Sequence, residues 1–172
     1  MERELEATNI RIEALKDSEP SVAAAAAFAL GERKDQKAIK QLENLLNHPV
    51  VDVRVAGLIA LAKLDHVSST KSIVPLLSDI EPEIRGYAAL TLAQLGAQDA
   101  KNPMLQLLKD PDAQVQALAI QAIAELGFRE AEPDLVELLG ATEWKVRLAA
   151  IFGISFGLPA PGCPPSSEPP SS

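Results

Sequence analysis

The chain has 172 residues, a net charge of −8 and no run of Lys or Arg, a balance that argues against general attraction to nucleic-acid phosphates or anionic lipid. Its single cysteine, Cys163, excludes an intramolecular disulfide framework, and no apolar stretch approaches the roughly 18 residues of a membrane helix. The start, MERELEATN, lacks the apolar segment of a signal peptide, so the expected location is cytoplasmic, with no nucleic-acid or membrane partner.

Residues 3–15 predict a first helix that is unusually polar, with Leu5, Ala7, Ile10, Ile12 and Ala14 the only apolar positions before Leu15. The turn Asp17-Ser18-Glu19-Pro20 follows, its proline suited to the first turn of a second helix over 21–30 that is nearly all alanine. The unit then returns at a fixed interval. Aligned on one leucine it recurs at Leu15, Leu46, Leu77, Leu108 and Leu139, 31 residues apart each time, without insertion or deletion. Such a period identifies stacked helical repeats, because one helix pair cannot bury its apolar face alone. Outer helices are expected over 36–47, 68–78, 99–109 and 130–140, and inner helices over 51–63, 82–95, 113–126 and 144–156. The 3% aromatic content leaves Ala, Leu, Ile and Val to form the core. Its positions are predicted at Val22, Val53, Ile84, Val115 and Val146, then at Leu30, Leu61, Leu92, Ile123 and Ile154. The polar first helix reads as the amino-terminal cap of the stack. After Gly157 the composition changes to LPAPGCPPSSEPPSS, with six prolines and four serines, which predicts a disordered tail over 158–172. The last inner helix carries Leu148, Ile151, Phe152, Ile154 and Phe156 with no polar cap after it. The chain is therefore expected either to be a fragment of a longer array or to self-associate through its C-terminal repeat.

The pattern Leu108-Lys-Asp-Pro-Asp112, then Val115, Ala117-Leu-Ala119 and Ala124-Glu-Leu-Gly127, resembles the phycobilisome (PBS) lyase type of HEAT-like repeat. The resemblance covers residues 3–157 and implies an αα superhelix. For function it implies chromophore lyases, hydroxylases and plain scaffolds alike. The arginine usual after the inner-helix valine in that family stands at Arg54, Arg85 and Arg147 but is Ala23 and Gln116 elsewhere. The usual turn carboxylate stands at Asp17, Asp79 and Asp110 but is His48 and Ala141 elsewhere. An Asp–Arg ladder along the solenoid would be interrupted.

No catalytic constellation is apparent. His48 and His66 flank an inner helix about 20 Å long and cannot share an ion. They precede Pro49 and Val67, so the His-Glu pairs of the HEAT-repeat deoxyhypusine hydroxylases, which that resemblance would require, are missing. Cys163 lies in the tail with nothing to lower its pKa. The recurring Asp17, Asp79 and Asp110 suit capping or arginine pairing better than acid–base work. No catalytic residue, metal ligand or cofactor is expected.

What remains is a surface. Six residues after the repeated valine stand Phe28, Ile59, Leu90, Gln121 and Phe152; two after it stand Ala24, Val55, Gly86, Ala117 and Leu148; five after it stand Ala27, Leu58, Ala89, Ile120 and Ile151. Periodicity allows these rows to form an apolar groove or to be core. Phe28, Ile59, Leu90, Gln121, Phe152, Val55 and Leu148 are the candidate partner-binding residues. Trp144 is expected to pack across a repeat junction.

The sequence thus predicts an all-α, right-handed superhelix of about five 31-residue HEAT-like helix pairs over residues 1–157, followed by the tail. Its expected role is that of a non-catalytic scaffold holding a protein partner on the concave face. The resemblance implies an alternative, a bilin lyase subunit or pigment-handling chaperone, and more remotely a relative of the HEAT-repeat iron hydroxylases lacking their ligands.

Overall fold

Each 31-residue unit folds as two antiparallel helices. The computed structural model describes residues 2–157; the Pro/Ser-rich segment 158–172, with Cys163, lies outside them. The outer helices are α1 (Glu2–Ala14), α3 (Ile39–Leu45), α5 (Thr70–Ile73), α7 (Lys101–Gln106) and α9 (Glu132–Leu138). The inner helices are α2 (Pro20–Glu32), α4 (Val51–Leu64), α6 (Pro82–Gln94), α8 (Ala113–Leu126) and α10 (Trp144–Phe152). No strand occurs among the described residues.

Local chemistry sets the boundaries. Pro20 and Pro82 open α2 and α6, where a missing N–H leaves no hydrogen bond unmade. Past the inner helices the backbone turns left-handed at Lys34, Asp65, Gly96 and Gly127, again 31 residues apart. Only the last two carry the residue to which that conformation costs nothing. The outer helices after α1 are shorter as α-helix than the sequence predicts, because each begins in a 3-10 turn, such as Gln36–Ala38. Pro75, which has no N–H to donate back along the helix, ends α5 at Ile73 and leaves Val74–Ser78 as 3-10 helix.

The core is one continuous strip. Leu15, Leu46, Leu77 and Leu108 are buried at their shared position, as are Leu30, Leu61, Leu92 and Ile123 at theirs. Small residues Ala38, Ser69, Ala100 and Ala131 are fully buried where outer helices begin. Two predicted core positions differ. Val22 is 41% exposed although Val53, Ile84, Val115 and Val146 are buried, because it belongs to the one pair with no pair before it. Ile154 is only half-buried, in the π turn Gly153–Gly157 that ends the last pair.

Neighbouring inner helices pack broadly on one another (α2 on α4, α4 on α6, α6 on α8, α8 on α10), whereas successive outer helices touch sparsely. The row therefore closes toward the inner helices, and their free face is the concave one. Two inner helices bring their backbones together at Gly31, where an added Cβ would stand 2.8 Å from Ala60 Cα and 3.1 Å from Ala60 Cβ. Gly31→Ala is expected to destabilise by about 1–3 kcal/mol in urea unfolding even though alanine favours helix, because backbone must move. Gly140→Ala, whose Cβ would meet nothing nearer than Glu137 O at 3.5 Å, serves as the tolerated control.

Candidate functional site

Of the candidate surface residues, the structure brings Leu90, Gln121, Leu148 and Phe152 into two adjoining depressions on the inner helices, whereas Phe28, Ile59 and Val55 line neither of them. Phe28 (49% exposed), Gln121 and Phe152 (54%) are exposed, and Ile59 and Leu90 are half-exposed. Val55 and Ala117 beside them are half-buried and Leu148 is exposed, while Gly86 is buried with an added Cβ only 2.6 Å from Leu118 Cδ1. The third row is different. Ala27, Leu58, Ala89 and Ile120 are completely buried, so this row is core and not groove; only Ile151, at the end of the stack, is open. One residue further along a helix is a rotation of about 100°, enough to separate a wall of the groove from the packed interior.

One depression, of about 570 Å³, lies between α8 and α10 over Ala117, Leu118, Leu148 and Phe152, with Gln114, Gln121 and Lys145 at its edges. A second, of about 440 Å³, lies between α6 and α8 over Tyr87, Leu90 and Leu118. They share Gln114 and Leu118, so they adjoin across α8. Trp144, expected at a repeat junction, is 59% exposed and forms part of the wall of the larger one. Leu118 lines both depressions and was missed in the sequence, where its counterparts Ala25, Ala56 and Ala149 are small and Tyr87 is aromatic, so no row of large aliphatic residues marks the position. At the amino-terminal end Lys63 pairs with Glu32 and lies 4.3 Å from the centre of the Phe28 ring.

The recurring polar residues are structural clasps. Asp17, Asp79 and Asp110 each accept the N–H two residues on, at 2.9 Å. His48 takes over this task, its Nδ1 accepting from Val50 N at 3.1 Å, which places its ring proton on Nε2. The following arginine or glutamine donates to the carbonyl six residues back: Arg54 to His48, Arg85 to Asp79, Gln116 to Asp110 and Arg147 to Ala141. The free side of the guanidinium then reaches the next repeat's aspartate, 25 residues on. Arg85 holds Asp110 with two bonds of 2.7 Å, and Arg54 holds Asp79 with one of 3.2 Å, its buried Nε finding no partner. Where the ladder is interrupted both partners are gone together: Ala23 faces His48 and Gln116 faces Ala141 across their junctions. Each missing arginine thus leaves no carboxylate unpaired.

Asp79 and Asp110 are consequently occupied. Burial, the largest single influence, pushes the Asp110 carboxyl up, but the hydrogen bonds from Arg85 and the Asp112 N–H, with the arginine charge, hold it below its ordinary value. His66 Nδ1 lies 2.9 Å from Ser69 Oγ, which donates to Glu43, on the opposite side of α4 from His48's turn. Among the described residues no three His, Cys, Asp or Glu side chains cluster as metal ligands would, and no helix is long and apolar enough to cross a membrane.

A stack of αα units with its inner helices packed in one row defines an α-solenoid repeat protein. The sequence matches the HEAT repeats family over residues 8–79 and 102–155, and the PBS lyase HEAT-like repeat over 84–110. The chain belongs to the HEAT-repeat family. No curated protein matches it. Among solved structures, a chain of the complex of CpcE and CpcF of phycocyanin lyase from Nostoc sp. PCC7120 is similar with a TM-score of 0.74 at 20% identity, covering 86% of this chain and 65% of that one. YibA of Escherichia coli is similar with a TM-score of 0.72 at 22% identity, over 87% of this chain and 59% of that one. A designed armadillo repeat protein in complex with the peptide (KR)4 gives 0.64 at 20% identity, over 84% and 79%. This chain therefore spans less than two thirds of the first two, and the likeness establishes the fold.

Proposed function

We propose that the protein is a non-catalytic scaffold that holds a segment of a protein partner in the trough along its inner helices. The observation that carries this reading is the pair of adjoining depressions across α6, α8 and α10, lined by Leu90, Leu118, Leu148 and Phe152 and edged by glutamines. Apolar side chains held open on rigid helices give binding area at small entropic cost, and glutamine side chains can bond a bound backbone. The similar designed armadillo repeat protein, which is in complex with a peptide, supports peptide capture by a solenoid of this kind.

Affinity purification with the wild-type chain as bait, followed by the same experiment with Leu90→Glu and Phe152→Glu, tests it. The expected result is a discrete partner whose affinity falls at least about tenfold in either variant, since a carboxylate would be desolvated in the trough. An unchanged affinity in variants that keep their helical circular dichroism and melting behaviour would sink the trough as the binding site.

A second reading, bilin lyase subunit or pigment-handling chaperone, is favoured by the similarity to a phycocyanin lyase chain and by the depression beside Trp144. Its about 570 Å³ is of small-molecule size. A bilin titration followed by absorbance decides it; no spectral change would remove it.

A further inference from the structure

The two ends of the stack are complementary. At the C-terminal end, Leu139 is 40% exposed although its four counterparts, Leu15, Leu46, Leu77 and Leu108, are 4% exposed or less. Ile151 is 51% exposed although Ala27, Leu58, Ala89 and Ile120 are completely buried. Arg147 is anchored as the clasping arginines are, its Nη1 donating to Ala141 O at 2.8 Å and Thr142 O at 2.6 Å. Arg85 makes the same two bonds, to Asp79 O and Ile80 O, and spends its remaining N–H groups on Asp110. Arg147 finds no such carboxylate among the described residues.

At the amino-terminal end the deficits are the converse. Asp17 accepts the Glu19 N–H like its counterparts Asp79 and Asp110, but among the described residues no arginine reaches it. Val22 is 41% exposed where its four counterparts are buried. The registers agree as well. A clasp spans 25 residues, so Arg147 calls for a carboxylate at the position of residue 172. In a second copy set five steps of 31 residues on, that position is held by Asp17.

We infer that the C-terminal face docks the amino-terminal face of a second copy of this chain, head to tail, with Arg147 clasping Asp17 of the neighbouring copy as Arg85 clasps Asp110 within the chain. One placement covers Leu139, Ile151 and Val22 and pairs both unmatched charges. Such an interface is heterologous, so it does not close after two copies, and assembly proceeds to longer rows.

Sedimentation velocity of the full chain, from micromolar to millimolar, tests this. The expected result is a mean mass that keeps rising past the dimer with concentration. Arg147→Glu and Asp17→Arg should each weaken association at least about thirtyfold, as loss of a desolvated charge pair does, and the double variant should restore it. Circular dichroism confirms that each variant is folded; Glu13→Arg, on the same end outside the clasp, is the control expected to leave association unchanged. A chain that stays monomeric throughout overturns the inference, and slow hydrogen exchange in α10 of that monomer would assign the cover to residues 158–172. A mass that stops at the dimer, or association indifferent to both charge reversals, overturns it too.

Discussion

Leu92→Ala is expected to lower the unfolding free energy by about 3 kcal/mol, measured by urea denaturation followed by circular dichroism. Leu92 is completely buried in α6, the central inner helix, which packs on α4 at one side and α8 at the other. Removing three carbons there forfeits their transfer free energy and leaves a cavity that rigid neighbouring helices cannot collapse into. Because each repeat touches only its neighbours, damage at the centre weakens two interfaces at once, and unfolding should become less cooperative. Ile154→Ala is the comparison, occupying the same position in a pair with one neighbour and half-buried; its cost should be less than half. Equal costs at the two positions would mean that the stack does not transmit stability from repeat to repeat.

Breaking the Arg85–Asp110 clasp should be about as damaging. The two side chains are 13% and 5% exposed, and their paired 2.7 Å bonds satisfy both carboxylate oxygens. Arg85→Ala or Asp110→Ala strands a poorly solvated charge and should cost about 3 kcal/mol. Arg54→Ala should cost less, since Arg54 makes one bond of 3.2 Å to Asp79 and leaves its Nε without a partner. Arg85→Gln combined with Asp110→Ala recreates the junction the chain already uses at Gln116 and Ala141. It should cost less than the two single changes summed, a coupling that a double-mutant cycle reads directly. The pH dependence has a definite sign. The folded-state Asp110 carboxyl lies below its ordinary value, so the clasp contributes fully above the unfolded value of about 3.9 and loses its contribution as pH falls through the lower folded value. Asp110→Asn should remove that part of the acid-induced loss. Stability falling equally from pH 5 to pH 2 in wild type and variant would refute the assignment.

The repeat, its helices and most of its core were legible in the sequence because a fixed 31-residue step aligns Leu15 through Leu139 and fixes which residues share an environment. The candidate surface was legible only in outline. Inner helices such as α4, VDVRVAGLIALAKL, are apolar on nearly every side, so periodicity could not separate the packed row Ala27, Leu58, Ala89 and Ile120 from the open row Phe28, Ile59 and Leu90. Contact with neighbouring helices decides it. Position in the array also escapes a local pattern: Val22 and Leu139 are of the same aliphatic type as their buried counterparts and are exposed because one side of each lacks a neighbouring helix pair among the described residues. The clasps needed distance as well as type. Only the span of 25 residues from Arg54 to Asp79 and from Arg85 to Asp110 shows that Ala23 and His48, like Gln116 and Ala141, form one joint.

Those joints differ in compliance along the row. Buried charged bolts fasten the second helix pair to the third and the third to the fourth, whereas the charged pairs at the first and last joints, Lys63–Glu32 and Lys101–Glu130, lie at the solvent-exposed surface, where an ion pair holds weakly. Under a bending load the middle three pairs move as a beam, and the flexure concentrates at its two ends. One of these hinges, between α8 and α10, is the floor of the larger depression, so the trough can change its width there while keeping its register over the beam.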